Sequence, residues 1–272
     1  MELALIMPPK LLEYTNLLPG RFCIATVAMR DAVYREYFTK AKNVTLDNGV
    51  FEGEVTTPAA LVELAKTIQP EVIICPDTIG GDAAKNFADA LDFRTYAKGQ
   101  GLKCEFMFVP QTKRGKWVEF EHAMQAAAER GFEWLGICRD AVYNAYGQFT
   151  NTKDQELNRF HFCAAILQDG LPQTLNVKWH FLGVGERLDL LQYYWFVDRM
   201  DTASLFWQAT WNHSVDTTGR LTTLIKRPKD YFTRDYPPAG HWYNDLKRNC
   251  TAALQYAQKA TELRSDIQGG RL

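Results

Sequence analysis

What most constrains this chain is an alternation. Short apolar runs rich in β-branched and aromatic residues recur from the start, and longer amphipathic segments separate them. Eight runs read as strands: Leu3–Met7, Phe22–Val27, Val44–Leu46, Glu71–Cys75, Cys104–Val109, Trp134–Cys138, Trp179–Leu182 and a weaker one around Met200–Ala203. Between them, Pro58–Ile68 reads as a helix capped by Thr57, with Pro58 in its first position. Asp82–Lys98, Trp117–Arg130, Lys153–Leu167 and Arg187–Phe196 carry apolar residues at helical spacing. Such alternation implies parallel strands joined by right-handed crossovers. Eight units within 272 residues predict an α/β fold, a (βα)8 TIM barrel, which typically uses about 250 residues. An open doubly wound sheet is the alternative, but no Gly-x-Gly-x-x-Gly follows the first strand to support it.

After Ser204 the alternation stops. Leu205–Pro238 reads as irregular chain and His241–Ser265 as a long closing helix. The expected organisation is therefore a barrel core over 1–204 and an irregular and helical extension over 205–272, packed on the barrel.

Bulk properties remove several function classes. The formal net charge is -1, so any nucleic-acid contact must come from a local basic patch. The six cysteines never approach the Cys-x-x-Cys spacing of zinc or redox sites. Buried free thiols, and hence a reducing compartment such as the cytoplasm, are expected. No basic leader or long apolar run suggests a signal peptide or a membrane span.

In a parallel barrel the C-terminal strand ends face the active site. Here they read Asp47-Asn48-Gly49, Pro76-Asp77-Thr78, Val109-Pro110-Gln111, Ile137-Cys138-Arg139, Leu182-Gly183-Val184-Gly185 and Asp198-Arg199-Met200-Asp201. Each alone is weak, because a lone Asp after a strand is more often a helix cap or a turn former. Together they bring three carboxylates, an amide and several glycines to one rim. Paired carboxylates suit chemistry at an anomeric carbon: one attacks while the other protonates the leaving group. Phe51 is placed to stack on a base.

These residues resemble the tRNA-guanine transglycosylase superfamily. Asp47-Asn48-Gly49-Val50-Phe51-Glu52 resembles its Asp-Ser-Gly-Gly-Phe/Tyr-Gln motif, with Asn, Val and Glu as departures. Val109-Pro110-Gln111 is similar to its Val-Gln-Gly turn, and Leu135-Gly136-Ile137 partly to its Gly-Gly-Leu segment. His180-Phe181-Leu182-Gly183-Val184-Gly185 is similar to its His/Tyr-Leu-Met-Gly-Val-Gly strand, and Asp198-Arg199-Met200-Asp201 to its Asp-Met-Phe-Asp segment. The matches run in family order over residues 44–204. The family's Cys-x-Cys-x-x-Cys zinc module is missing here, where only Cys250 and His241 stand.

A short, zinc-free chain looks like the phage and bacterial DNA transglycosylases. That resemblance implies an enzyme exchanging guanine in DNA for a free 7-deazaguanine base, such as 7-cyano-7-deazaguanine, through a covalent Asp–deoxyribosyl intermediate. It implies no metal and no cofactor, a free base as co-substrate, and action in the cytoplasm, a phage-encoded enzyme acting in that of its host. By the same resemblance Asp201 is the nucleophile and Asp47 the general acid and base. Phe51, Asp77, Gln111, Gly136, Gly183 and Gly185 hold the base. Arg139, Arg220, Lys226, Arg227 and Lys229 are candidate nucleic-acid contacts, joined in the tail by Arg234, Lys247 and Arg248; such cations are as often simply solvated. Trp207 and Trp211 could stack on unpaired bases, though core packing is commoner. His180 and His213 read as structural. The rivals are a zinc-free tRNA transglycosylase and a barrel that binds nucleic acid or a base without catalysis. A metal-dependent hydrolase is disfavoured, because no His-x-His or His-x-x-x-His pair exists.

Overall fold

The computed structural model describes residues 1–17, 22–24, 29–53, 56–147, 155–185, 187–221, 227–238 and 240–271. Strand residues 25–27, helix residues 153 and 154, and Lys226 lie outside these.

The strands are β1 (Glu2–Leu5), β2 (Phe22–Ile24), β3 (Val44–Leu46), β4 (Val72–Ile74), β5 (Glu105–Phe108), β6 (Trp134–Cys138), β7 (Lys178–Leu182) and β8 (Arg199–Thr202). All neighbours pair in parallel and in chain order. β1 meets β8 over four residue pairs, from Glu2↔Arg199 to Leu5↔Thr202, and among the described residues pairs with β2 at Leu5↔Phe22. The sheet is thus a parallel, curled, TIM-like α/β layer.

The helices are α1 (Ala32–Lys40), α2 (Pro58–Ile68), α3 (Ala83–Gly99), α4 (Trp117–Glu129), α5 (Arg139–Tyr146), α6 (Gln155–Gln168), α7 (Leu171–Thr174), α8 (Ser204–Ala209) and α9 (His241–Gln268). The expected Thr57 cap is present, its side chain accepting from the Ala60 N–H, and Asp82 caps α3 in the same way. Three readings need correction. Arg187–Phe196 is not an α-helix but a 3-10 helix over Leu188–Tyr193. The stretch after Ser204 is not wholly irregular, since α8 follows β8 at once, every residue from Leu205 to Ala209 buried. Arg139 is not a strand end; it is the first residue of α5. Among the described residues no helix is long and apolar enough to cross a membrane.

Side chains alternate along each strand, and the two faces meet different surroundings. Leu3, Leu5, Val44, Leu46, Phe106, Phe108 and Met200 join the large core beneath the helices. Ala4, Val72, Ile74, Met107, Val109 and Trp134 form a separate, smaller cluster within the curl. Arg199 and Asp201 alternate with Met200 on β8 and so share the inner face with that cluster. On α9, Trp242, Leu246, Cys250, Ala253, Ala257 and Ala260 are buried at helical spacing. That stripe packs against Leu188–Tyr193, α8 and β1, which ties the C-terminal region to the first and last strands.

Candidate active site

Asp47 follows the last residue of β3, Asp77 lies just beyond β4, and Asp201 is on β8. The backbone fixes their level. The Asp201 carbonyl accepts from the Val184 N–H at 2.7 Å, and Val184 lies past the end of β7. Asp201 is therefore at the C-terminal rim, as are Asp47 and Asp77.

Asp201 is 1% exposed and held on both oxygens. Its Oδ1 accepts from the Gly183 N–H at 2.7 Å, and its Oδ2 lies 2.8 Å from His180 Nε2. Burial holds the His180 imidazole below its ordinary value, against the opposing pull of Asp201. A neutral ring satisfies this contact with Nε2 as donor, leaving Nδ1 buried and without a partner among the described residues. His180 is a positioning residue for Asp201, a role its place in the sequence did not reveal.

Asp47 is partly buried, and its Oδ1 accepts from the Gly49 N–H at 3.0 Å. Its carboxyl is pushed up to about 8. Burial is the main cause; the Glu52 charge adds to it, the Gly49 bond opposes it, and Asp201 and Asp77 add further. Three acids thus act on Asp47, which stays protonated near neutral pH.

Asp77 is also raised, by burial, against hydrogen bonds from Asn48 and Gln111. Asn48 Nδ2 reaches Asp77 Oδ1 at 2.7 Å and Gln111 Nε2 reaches Oδ2 at 2.6 Å. Gln111 is itself 1% exposed, so it braces Asp77 rather than standing free for a ligand. Each carboxylate oxygen still keeps a second lone pair for a ligand.

The glycines are explained by their neighbours. A Cβ on Gly136 would lie 2.8 Å from Met107 Sδ and 2.9 Å from Val109 Cγ2. One on Gly185 would lie 2.7 Å from Glu156 Oε1 and 2.8 Å from Arg139 Nη1. The Gly183 and Gly185 amides are already engaged, with Asp201 and with Glu156 Oε1 at 3.0 Å. Glu156, 3% exposed, was not visible as a candidate in the sequence. Beside it Arg139 Nη1 lies at 3.4 Å, and buried Arg159 donates to the Leu182 carbonyl at 2.7 Å. This network holds the turn that holds Asp201, and Arg139 belongs to it.

Phe51, in the short turn Val50–Glu52 after Asp47, is 56% exposed. The Arg227 guanidinium lies 5.0 Å from its ring centroid and 2.8 Å from Glu52 Oε1. Glu52 Oε2 is buried with no partner among the described residues. Arg220 is exposed and lies 3.5 Å from Asp189, and Lys229 is exposed. Asp198, by contrast, faces away: it accepts from the Trp179 N–H and pairs with Arg264 on α9 at 2.9 Å.

Cys75, Cys163 and Cys250 are buried free thiols, and Cys104 and Cys138 are partly buried. Burial raises all five, which makes them poor nucleophiles. Among the described residues no group of three or more His, Cys, Asp or Glu could hold a metal ion. Comparison with known proteins finds no family model and no curated protein that matches the chain.

Proposed function

We propose that the sheet is a (βα)8 TIM barrel over 1–204, carrying residues 205–272 as an extension, and that it is a guanine transglycosylase acting on DNA. The observation that carries the reading is the unequal treatment of two acids on one rim. Burial and neighbouring charge keep Asp47 protonated near pH 7, as a general acid requires. Asp201 is fixed in place by a backbone N–H and an imidazole, as a nucleophile requires.

In the first half-reaction a guanine is turned out of the stack into the mouth and rests on Phe51. Asp77 accepts from its N1–H and 2-amino group. An Asp201 oxygen attacks C1′, the bond from C1′ to the base breaks, and Asp47 gives its proton to the departing base. In the second, a free 7-deazaguanine takes the same place. The Asp47 carboxylate removes its N9 proton, N9 attacks C1′, and Asp201 is released. Two inversions give net retention, and the proton returns to Asp47, so neither redox nor nucleotide cofactor enters the balance. Gly183 and Gly185 act in this scheme by shaping the turn beside Asp201. Gly136 lets Met107 and Val109 close over the inner wall beneath the base, and Gln111 orients Asp77.

The test is incubation of the pure protein with labelled guanine and either DNA or tRNA, followed by denaturing electrophoresis for a covalent adduct. We expect exchange into DNA and an adduct that Asp201→Ala abolishes. Labelling of tRNA alone would move the activity to the tRNA branch. No exchange and no adduct with either would leave a binding protein.

A further inference from the structure

The lip of the site does not end at Phe51. Arg227, stacked on Phe51, also lies 5.4 Å from the Tyr231 ring and 5.6 Å from Phe232. Tyr231 meets Trp207 edge-on at 6.5 Å, and Trp207 meets Trp211 edge-on at 5.6 Å. A second guanidinium, Arg234, sits 5.6 Å from Trp207 and 5.8 Å from Trp211. Tyr231 and Trp207 are buried, whereas Phe51 and Trp211, at the two ends, are 56% and 48% exposed. The result is a ridge with an exposed ring and an arginine at each end and a packed aromatic spine between.

An exposed Trp is costly to maintain without a partner, because its apolar surface stays in water. The chemistry around it narrows the choice. Flat rings alternating with guanidinium groups match a strand of unpaired nucleotides, whose bases offer π-faces and whose phosphates offer charge. A duplex hides its base faces and would leave Trp211 uncovered. Acids share these cations: Glu52 pairs with Arg227, Asp235 with Lys10, and Asp230 lies 3.5 Å from Arg234 in a solvent-exposed pair that a phosphate displaces at little cost. The ridge starts at the lip where the target base is proposed to enter, so a strand lying on it would deliver its neighbouring nucleotides outward.

We propose that this ridge, from Phe51 and Arg227 to Arg234 and Trp211, is a docking track for an unpaired nucleic-acid strand. A base flanking the target stacks on Trp211, and Arg234 contacts the adjoining phosphate. The position of the target nucleotide rests on the base-exchange reading; the strand binding does not.

The probe is a fluorescein-labelled oligothymidylate of twelve nucleotides, which contains no guanine and cannot react. Its anisotropy is titrated with wild type, Trp211→Ala, Trp211→Phe and Arg234→Gln, each first checked by thermal melting. Trp211→Ala should weaken binding about tenfold, within the range for one stacked base. Trp211→Phe, which keeps a π-face, should recover most of that loss. Arg234→Gln should flatten the salt dependence by roughly one ion. Equal affinity of wild type and Trp211→Ala would overturn the track, as would tighter binding of a duplex of equal length that Trp211→Ala leaves unchanged. Loss of self-association in Trp211→Ala, with oligonucleotide binding intact, would assign the ridge to a second copy and overturn it as well. Adduct formation on guanine-containing DNA is scored in parallel. Trp211-dependent thymidylate binding without any adduct would leave the track standing and remove the base-exchange reading. An adduct with Trp211-independent binding would do the reverse.

Discussion

The two ends of the sheet treat charge in opposite ways. At the N-terminal end carboxylates meet cations. Arg199, 1% exposed, lies 3.1 Å from Glu71 and 3.6 Å from Glu2, donates to Thr45 Oγ1 at 2.8 Å, and rests over the Trp134 ring. Lys178 pairs with Glu105 at 2.8 Å, and Trp134 Nε1 donates to the same carboxylate. At the C-terminal end cations brace the turn, Arg139 and Arg159 beside Glu156, but around Asp47 acids meet acids. Glu52, Asp201 and Asp77 all raise Asp47, and Arg227 is hydrogen-bonded to Glu52. Compensated charge closes one end of the sheet; at the other, burial and neighbouring acids hold a proton on Asp47 where solution chemistry would not. The first arrangement serves stability and the second costs it. Mutations at the two ends should therefore fail in different ways.

The largest effect belongs to Asp201→Asn. It should lower base exchange by at least about 10³-fold, while the amide still accepts from Gly183 and the melting temperature stays near that of wild type. A variant that loses activity only because it unfolds would erase the contrast between the ends. Next comes Arg199→Met at the opposite end. Removing a buried guanidinium from partly exposed Glu71 and Glu2 should cost about 2–3 kcal/mol in urea denaturation, and the surviving folded fraction should keep its exchange rate.

Asp47→Asn should do something Arg199→Met cannot, and raise stability. The folded value of Asp47, about 8, lies above its ordinary 3.8. Protonated Asp47 therefore favours the folded state fully below about pH 3.8, and that contribution is lost as pH rises through 8. At about 1.4 kcal/mol per unit of difference, the variant should be a few kcal/mol more stable than wild type at pH 7.5 and no more stable near pH 3.5. Urea midpoints at the two pH values decide it. A constant difference would mean that burial, not ionisation, sets the change.

Glu52→Gln should produce a smaller and more diagnostic shift. The Glu52 charge helps to keep Asp47 protonated, so its removal should move the alkaline limb of kcat/KM for base displacement to lower pH, by roughly one unit. The rate at pH 6 should hardly change, because Asp47 is protonated there in both proteins. An unmoved limb would mean that Glu52 does not act through Asp47.

Glu52 also marks where the sequence stopped being readable. The strands were legible because their apolar runs are local: Val44–Leu46 and Trp134–Cys138 are the elements expected. Asp47, Asp77 and Asp201 were legible because strand ends in parallel sheets are where such groups converge. α1 was missed because its buried face is only Tyr34 and Phe38, too few positions to set a period. α8 was missed because it is buried all round and shows no amphipathic pattern. The partners of the acids were hidden for another reason. His180 and Asp201 stand on neighbouring strands, and Glu156 reaches Gly185 from α6. Such contacts depend on strand register and helix placement rather than on spacing along the chain. Arg227 and Glu52 meet across 175 positions.

The smallest effect should come from Lys178→Met, and it tests whether the N-terminal end is one unit or a buried centre with a solvated rim. Lys178 and Glu105 have side chains 47% and 35% exposed, so water screens most of their attraction. For Glu105 the strongest influence is burial, which raises the carboxyl, but hydrogen bonds from Lys178 and Trp134 outweigh it and leave the group lowered. The variant keeps the Trp134 bond, at 2.6 Å. The loss should therefore stay below about 1 kcal/mol. Because a lowered acid stabilises the fold above its ordinary 4.5 and ceases to do so as pH falls, the gap between wild type and variant should close on acidification below about pH 4. Urea midpoints at pH 7 and pH 3.5 measure both effects. A cost matching that of Arg199→Met would show that the cations at this end act together, and the division into a stabilising end and a reactive end would then rest on the whole network rather than on one buried guanidinium.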